Sequence, residues 1–415
     1  MKIHINSLGC RLNQSEIQSI ISVLKQNGHL LTNSNRADVF IINSCVVTHA
    51  SERKTRTLIH HAQRNAGPNG HVIVTGCFVE SFSIKDNIIF LSNDYKYLIP
   101  DLIDNSFILP EDTFKNSRFS FSPAIDSTRT RINLKIQDGC NNYCSYCIIP
   151  YVRGNPISRD IDSILNEFKL LRDEGYHEFL LTGVMISNYN YNGNNLTDLL
   201  TKLLNATGNF RIHLSSLSPQ TIDQNFIDLL FDNKIVKHLH LSLQSGCDTI
   251  LKSMNRKYTT EQYLDILQKI RSVDKLFNFT TDLITGFPGE TDSCFQQTLI
   301  FLEQAKFSHI HTFRYSKRQG TAAASFQNQV QESVKKERSG IVMNISDRHN
   351  RDYLELFDKH KTTVLTEKSR NGLTRGYNEY YVPVHLHQEF PQNTFIDIIC
   401  DYNRDRNTLY GSSYK

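Results

Sequence analysis

The chain has 415 residues, more than one ordinary hydrophobic core fills, so two or three domains are expected. Lys+Arg number 46 against Asp+Glu 42, which permits an anionic partner without requiring one, and nine cysteines over this length are too few for a disulfide scaffold. MKIHINSLGC has no charged segment followed by an apolar one, and no apolar run of about 18 residues occurs, which excludes a secretory leader and a membrane span and leaves a reducing, cytoplasmic setting.

A unit recurs in the first third. Lys2–Ser7 alternates like a strand and runs into Gly9-Cys10, DVFIIN (38–43) is a short apolar strand ahead of Cys45, and HVIVT (71–75) leads to Gly76-Cys77. Ile17, Ile20, Ile21 and Leu24 recur at helical spacing after Ser15, a capping residue type, and Ser51–Asn65 reads as a second helix. Strands alternating with helices predict an open parallel α/β sheet, whose strand ends line one edge, so Cys10, Cys45 and Cys77 are expected to meet. The competing reading is three small buried hydrophobes, since a cysteine after a buried strand is often only that.

Pro110–Ser127, rich in Ser, Asn, Asp and Pro, reads as a linker. The strand-like Ile132–Ile136 then runs into Cys140, Cys144 and Cys147, spaced C-x3-C-x2-C. A closed zinc site needs four N or S ligands, and the next histidine is His177. Three thiolates suit an iron–sulfur cubane with one iron left open to a substrate, with zinc or simple burial as the alternatives.

Five more strand-like stretches follow: His177–Thr182, Arg211–Ser215, His238–Gln244, Phe279–Thr285 and His309–Tyr315. Helical patterns lie between them at Asp160–Asp173, Leu196–Leu204, Thr221–Leu230, Thr260–Val273 and Thr291–Gln304. Six β/α units make a partial barrel, two short of the closed eight, with a gap for a bulky substrate. Function gathers at the carboxyl ends of such strands, so Thr182, Gly183, Ser215, Gln244, Ser245 and Gly286 are candidate cofactor-binding residues forming a polar lip over the cluster; each singly is equally a turn. Lys317-Arg318 is a solvated pair or a phosphate contact. Cys247, Cys294 and Cys400 match no ligand spacing and read as structural.

GCNNYCSYCIIPYVRG resembles the radical S-adenosylmethionine (SAM) signature in its methylthiotransferase form. SLGCRLNQSE, NSCVVT and TGCFVE resemble that family's three amino-terminal cysteine blocks, and HLHLSLQSG, MNRKYT, GFPGET and YSKRQGTAA its radical SAM blocks, over nearly the whole chain. RGNPISR departs from the family's more basic stretch, and Met185 stands where an amide is common. The resemblance implies an amino-terminal domain at 1–120 with an auxiliary cluster, a radical SAM partial barrel at 126–355 and a small β-barrel, the RNA-binding TRAM module, at 358–415. TTVLTE, YYVPVHL and TFIDIIC suit its strands. From Asp358 to Lys415 there are 8 Lys+Arg against 7 Asp+Glu, so RNA contact there would rest on aromatics such as Tyr377, Tyr380 and Tyr381, at least one of which is expected to pack in the core.

The family's cofactors are two 4Fe–4S clusters and SAM. By resemblance Cys140, Cys144 and Cys147 hold the cluster that cleaves SAM, and Cys10, Cys45 and Cys77 the one that carries sulfur, all six being catalytic and metal-binding. LTGVMISNY, RLNQSE and GYNEYYVPV resemble the branch that methylthiolates C-2 of N6-threonylcarbamoyladenosine at position 37 in the tRNA anticodon loop, with the base flipped out. Sister branches act on N6-isopentenyladenosine in tRNA or on an aspartate of a small-subunit ribosomal protein. An electron donor such as flavodoxin or ferredoxin is implied and a membrane is not. A non-enzymatic, metal-stabilised RNA-binding protein is the alternative class; it would need no open iron.

Overall fold

The structure is a computed structural model that describes every residue except 47, 68, 80–82, 86, 109–117, 126–129, 370–371 and 414–415. The expected linker, Pro110–Ser127, lies largely outside the described residues, as do Val47 and Glu80 of the cysteine blocks.

The first strands are β1 (Lys2–Ser7), β2 (Leu30–Leu31), β3 (Val39–Ser44), β4 (His71–Gly76), β5 (Ser83–Lys85) and β6 (Ile88–Leu91). They form one sheet, ordered β2-β1-β3-β4-β6-β5, in which only the edge pairing of β5 with β6 is antiparallel. β3 is apolar from Val39 to Ile42 because both its faces are covered. Val39 and Ile41 pack on Ile17, Ile20 and Leu24 of α1 (Arg11–Gln26), whereas Phe40 and Ile42 pack on Ile59 and Ala62 of α2 (His49–Asn65). α3 (Ile99–Asp104) joins the α1 side. α1 starts at Arg11, directly after Cys10, so Ser15 is not its cap; Ser15 is buried within the helix, its Oγ donating to the Leu12 carbonyl at 2.8 Å. α2 starts two residues before Ser51 because Thr48 caps it, accepting from the Ser51 N–H.

All six expected central strands are present, as β7 (Arg131–Lys135), β8 (Glu178–Thr182), β9 (Arg211–Leu214), β10 (His238–His240), β11 (Asn278–Thr285) and β12 (His309–Arg314). They pair in parallel as β7-β8-β9 and β10-β11-β12, the two groups meeting through the single bridges Ile212↔Ile235 and Leu217↔Leu241. The chain thus forms a partial barrel of six strands. Its helices are α4 (Ile149–Arg153), α5 (Ile161–Asp173), α6 (Leu196–Leu204), α7 (Gln224–Leu229), α8 (Asp248–Ser253), α9 (Thr260–Val273), α10 (Asp292–Ala305) and α11 (Glu332–Glu355). α7 is shorter than expected, since Pro219–Thr221 takes a 3₁₀ turn and Asp223 caps the helix that follows. α11 was not expected: its buried side includes Lys335, Arg338, Ser346 and His349, so no apolar stripe marks it. It covers the edge strand β12, and the Ser346 hydroxyl accepts from the Ile310 N–H at 2.9 Å.

The last strands are β13 (Lys361–Thr366), β14 (Thr374–Tyr377), β15 (Pro383–Leu386), β16 (Phe395–Asn403) and β17 (Thr408–Ser413), closing a barrel in the order β13-β14-β15-β17-β16. Tyr380 and Tyr381, expected to open a strand, precede β15 in a turn. This barrel seats on the amino-terminal ends of the central strands. Lys237 N–H donates to the Glu379 carbonyl at 2.7 Å, Asn278 Nδ2 to the Tyr380 carbonyl at 2.8 Å and Arg211 Nη2 to the Tyr377 carbonyl at 2.9 Å. The floor of the partial barrel is therefore closed, leaving the carboxyl ends of its strands as the working face. Among the described residues, no helix is long and apolar enough to cross a membrane.

Candidate active site

Cys10, Cys45 and Cys77 follow β1, β3 and β4, three neighbouring parallel strands, so they come together at one sheet edge as expected. The turn before Cys10 depends on Gly9, which has φ +104° and lies so close to the next loop that a Cβ there would sit 3.2 Å from the Cys45 Cβ. Two side chains hold the loops in register. Asn13 Nδ2 donates to the Leu8 carbonyl at 3.1 Å and the Ser44 carbonyl at 2.9 Å, while the Ser44 hydroxyl donates to the Thr75 carbonyl and accepts from the Phe78 N–H.

The same Asn13 reaches the second cysteine set. Its Oδ1 accepts from Arg153 Nη2 at 2.6 Å and from Lys96 Nζ at 3.3 Å. Arg153, six residues after Cys147, also donates through Nη1 to Asp138 at 2.9 Å and to Glu16 at 3.1 Å. Lys135 and Lys96 lie 2.7 and 2.6 Å from Glu16. All these groups are buried, and burial alone would raise the carboxyls. Arg153 and Lys135 outweigh it, holding Glu16 well below the usual carboxylate range and Asp138 below it too. Arg153 thus joins the helix that begins at Cys10 to the strand end that leads to Cys140, and it lies within electrostatic reach of Cys77.

The loop carrying Cys140, Cys144 and Cys147 is anchored from several sides. Asn255 Nδ2 donates to the Asn142 and Tyr143 carbonyls at 3.1 and 3.0 Å, Ser145 N–H to the Met254 carbonyl at 3.1 Å and Ala323 N–H to the Ser145 carbonyl at 2.7 Å. The sulfurs receive donors of the kind that tune iron–sulfur centres: the Asn142 N–H at Cys140, 3.5 Å, and Arg256 Nη1 at Cys144, 3.4 Å. Burial pushes the Cys147 thiol up to about 12 and raises that of Cys140; a bound cation such as iron would favour their thiolates. Among the described residues, no three His, Cys, Asp or Glu side chains converge as the ligands of one metal ion; a cubane gives each thiolate its own iron. The residues fit two such clusters.

A cavity of about 810 Å³ separates the amino-terminal cysteines from the partial barrel. Cys10, Cys45 and Cys77 line it, and so do Thr182, Gly183 and Ser215 of the expected lip. Ser215 Oγ is buried without a partner there. Gln244, Ser245 and Gly286 do not line it. Gln244 is drawn into a bridge with Leu283, Ser245 Oγ accepts from the Cys247 N–H, and Gly286 turns at φ +69° against α11, where a Cβ would lie 2.3 Å from Lys335 Cγ. Arg318 is not solvated: it is buried, with Nη1 paired to Glu52 of α2. Tyr380 packs on Phe357 and His360 in the small barrel's core, whereas Tyr377 and Tyr381 stack at 4.7 Å and Tyr381 faces the cavity.

Sequence reasoning missed Arg11, Asn13 and Glu16, and with them the polar wall of the barrel. The available signal was Asn13 and Glu16, an amide and a carboxylate three apart beside the apolar positions Leu12, Ile17, Ile20 and Leu24 of one helix. On the wall, Thr280 Oγ1 bridges His238 Nε2 and His240 Nδ1 at 2.9 and 3.0 Å, and His240 Nε2 lies 3.2 Å from Asp282.

Residues 134–302 match the radical SAM superfamily and residues 2–90 the uncharacterized protein family UPF0004. The threonylcarbamoyladenosine tRNA methylthiotransferase MtaB of Thermotoga maritima is 32% identical over 92% of this chain and 90% of its own length, and that of Chlamydia pneumoniae 35% over 91% and 89%. A tRNA-2-methylthio-N(6)-dimethylallyladenosine synthase of Thermoanaerobacter sp. (strain X514) is 35% identical over 81% and 75%. The radical S-adenosylmethionine methyltransferase TsrM of Kitasatospora setae shares the fold at a TM-score of 0.55 and 12% identity, over 75% of this chain and 72% of its own.

Proposed function

The chain belongs to the radical SAM tRNA methylthiotransferases, which use SAM and two 4Fe–4S clusters, and from that membership we propose that its substrate is N6-threonylcarbamoyladenosine at position 37 of tRNA, methylthiolated at C-2. The observation that carries this reading is the cavity between Cys10, Cys45 and Cys77 and the barrel wall. Every lining residue contributed by β10, β11 and β12 is polar, His240, Thr280 and Asp282 among them. A ureido-linked threonine finds hydrogen-bonding groups on such a wall; an isopentenyl chain could use none of them.

Cys140, Cys144 and Cys147 hold one cluster beside the strand ends, with Thr182, Gly183 and Ser215 forming the adjoining lip. Cys10, Cys45 and Cys77 hold the other. When bound, these groups supply the electron, the radical, the methyl group and the sulfur. The protein places the base between the two sites and excludes water. Asn13, Glu16 and Arg153 fix one cysteine set against the other, and the seated small barrel closes the cavity floor. A carrier such as flavodoxin or ferredoxin delivers the electron.

Mass spectrometry of tRNA nucleosides from a strain lacking the chain tests the reading. The 2-methylthio derivative of threonylcarbamoyladenosine should vanish while its unthiolated parent accumulates. Its persistence, with loss of the 2-methylthio isopentenyl nucleoside instead, would assign the sister activity.

A further inference from the structure

The cavity is lined by two cations, Arg11 and Arg153. Arg153 is paired with Asp138 and Glu16. Arg11 has no carboxylate within ion-pair distance among the described residues; its one hydrogen bond joins Nη2 to the Tyr381 hydroxyl at 3.5 Å. Burial lowers the pKa of His238, His309 and His311, and Arg11 itself helps to depress His238 and His311. Of the two lining cations Arg11 is thus the one without a carboxylate partner among the described residues, one residue from Cys10; the wall's own carboxylate, Asp282, is met by His240 at 3.2 Å.

The two modified adenosines that separate the sister activities differ in one respect that matters here. The threonylcarbamoyl group ends in a carboxylate; the isopentenyl group is hydrocarbon. The outer ureido N–H closes a six-membered hydrogen-bonded ring onto N1, so the threonyl group lies along the edge of the adenine that carries C-2. A carboxylate brought to this face of the cavity is met by a guanidinium through two parallel hydrogen bonds. A hydrocarbon in the same place offers Arg11 no acceptor, and a site built to hydrogen-bond one substrate disfavours the analogue that lacks the group.

We propose that Arg11 binds the threonyl carboxylate of the flipped nucleoside and is thereby the specificity determinant that admits this base and rejects the isopentenyl one. The inference rests on threonylcarbamoyladenosine being the substrate. Tyr381 holds the guanidinium toward the chamber, and Arg11's place at the start of α1 fixes the carboxylate relative to Cys10.

The test is equilibrium binding of the cluster-loaded enzyme to fluorescent anticodon stem-loops bearing threonylcarbamoyladenosine, its neutral carboxamide, or isopentenyladenosine. The acid should bind about tenfold or more tightly than the carboxamide, as a charge-assisted pair requires. Arg11→Gln should bring the two to equal affinity, and Arg11→Lys should keep part of the preference. Equal binding of acid and carboxamide by the unaltered enzyme, or a preference that survives in Arg11→Gln, overturns the role of Arg11 while leaving the substrate in place. Tighter binding of the isopentenyl stem-loop than of either overturns the substrate assignment, and this inference with it.

Discussion

The Asn13 side chain has both its ends committed: the amide nitrogen to the carbonyls that precede Cys10 and Cys45, the amide oxygen to Arg153 and Lys96. Arg153 in turn satisfies two buried carboxylates at once. Removing one partner of such a network leaves the others charged in a dry interior, so Arg153→Gln should cost about 3–5 kcal/mol of stability in denaturant unfolding. Lys169→Gln breaks an exposed pair with Asp173 and should cost less than about 1 kcal/mol. Equal losses in the two variants would show that the buried network does not hold the halves together. At this scale the six cysteines were legible because their spacing is local. Arg11, Asn13 and Glu16 were not, because what makes them functional is a neighbour 30 to 370 residues away.

Strand β8 brings Glu178 beside β9, where Arg211 meets it at 2.8 Å and His213 lies 3.6 Å away; His213 Nε2 then contacts His238 Nδ1 of β10 at 2.9 Å. Burial drives His213 down to about 4, and Glu178 opposes this only in part. Glu178 goes the other way from its burial, held at about 2 chiefly by Arg211. The native state thus binds fewer protons than the unfolded chain in both windows, and stability falls with pH in both. Thermal unfolding should show a loss between about pH 6.5 and 4 as the buried imidazole resists its proton, then a further loss from about 4.5 toward 2 as Glu178 is titrated. His213→Asn should flatten the first window; an unchanged slope would remove this histidine as its source. The strands that carry these groups were readable from apolar alternation, since each faces one continuous core. α11 was not, because it covers a strand edge with polar side chains rather than a core with apolar ones.

Across the molecule the two cysteine sets belong to different structural units, the edge of the amino-terminal sheet and a loop at the end of β7, joined through Arg153. Their tasks should separate accordingly. Cys144→Ala should abolish SAM cleavage, whereas Cys45→Ala should retain cleavage, assayed as 5′-deoxyadenosine release, and lose methylthiolation of tRNA. Cleavage that persists in Cys144→Ala would move the radical chemistry away from this loop.

By itself the sequence determined the α/β class, the six central strands, the two sets of three cysteines and the membership they signal. All of these are written in local spacing and in the period with which apolar residues recur, and local sterics and burial act on both. Tertiary structure alone decided that Thr182, Gly183 and Ser215 line the chamber while Gln244, Ser245 and Gly286 do not, that Arg318 is buried against Glu52, and that the carboxyl barrel seals the floor. It also decided that Arg11 stands at the chamber with no carboxylate in ion-pair distance among the described residues. Whether a cation is paired depends on which distant carboxylates packing brings within a few ångströms, and no local pattern records that distance.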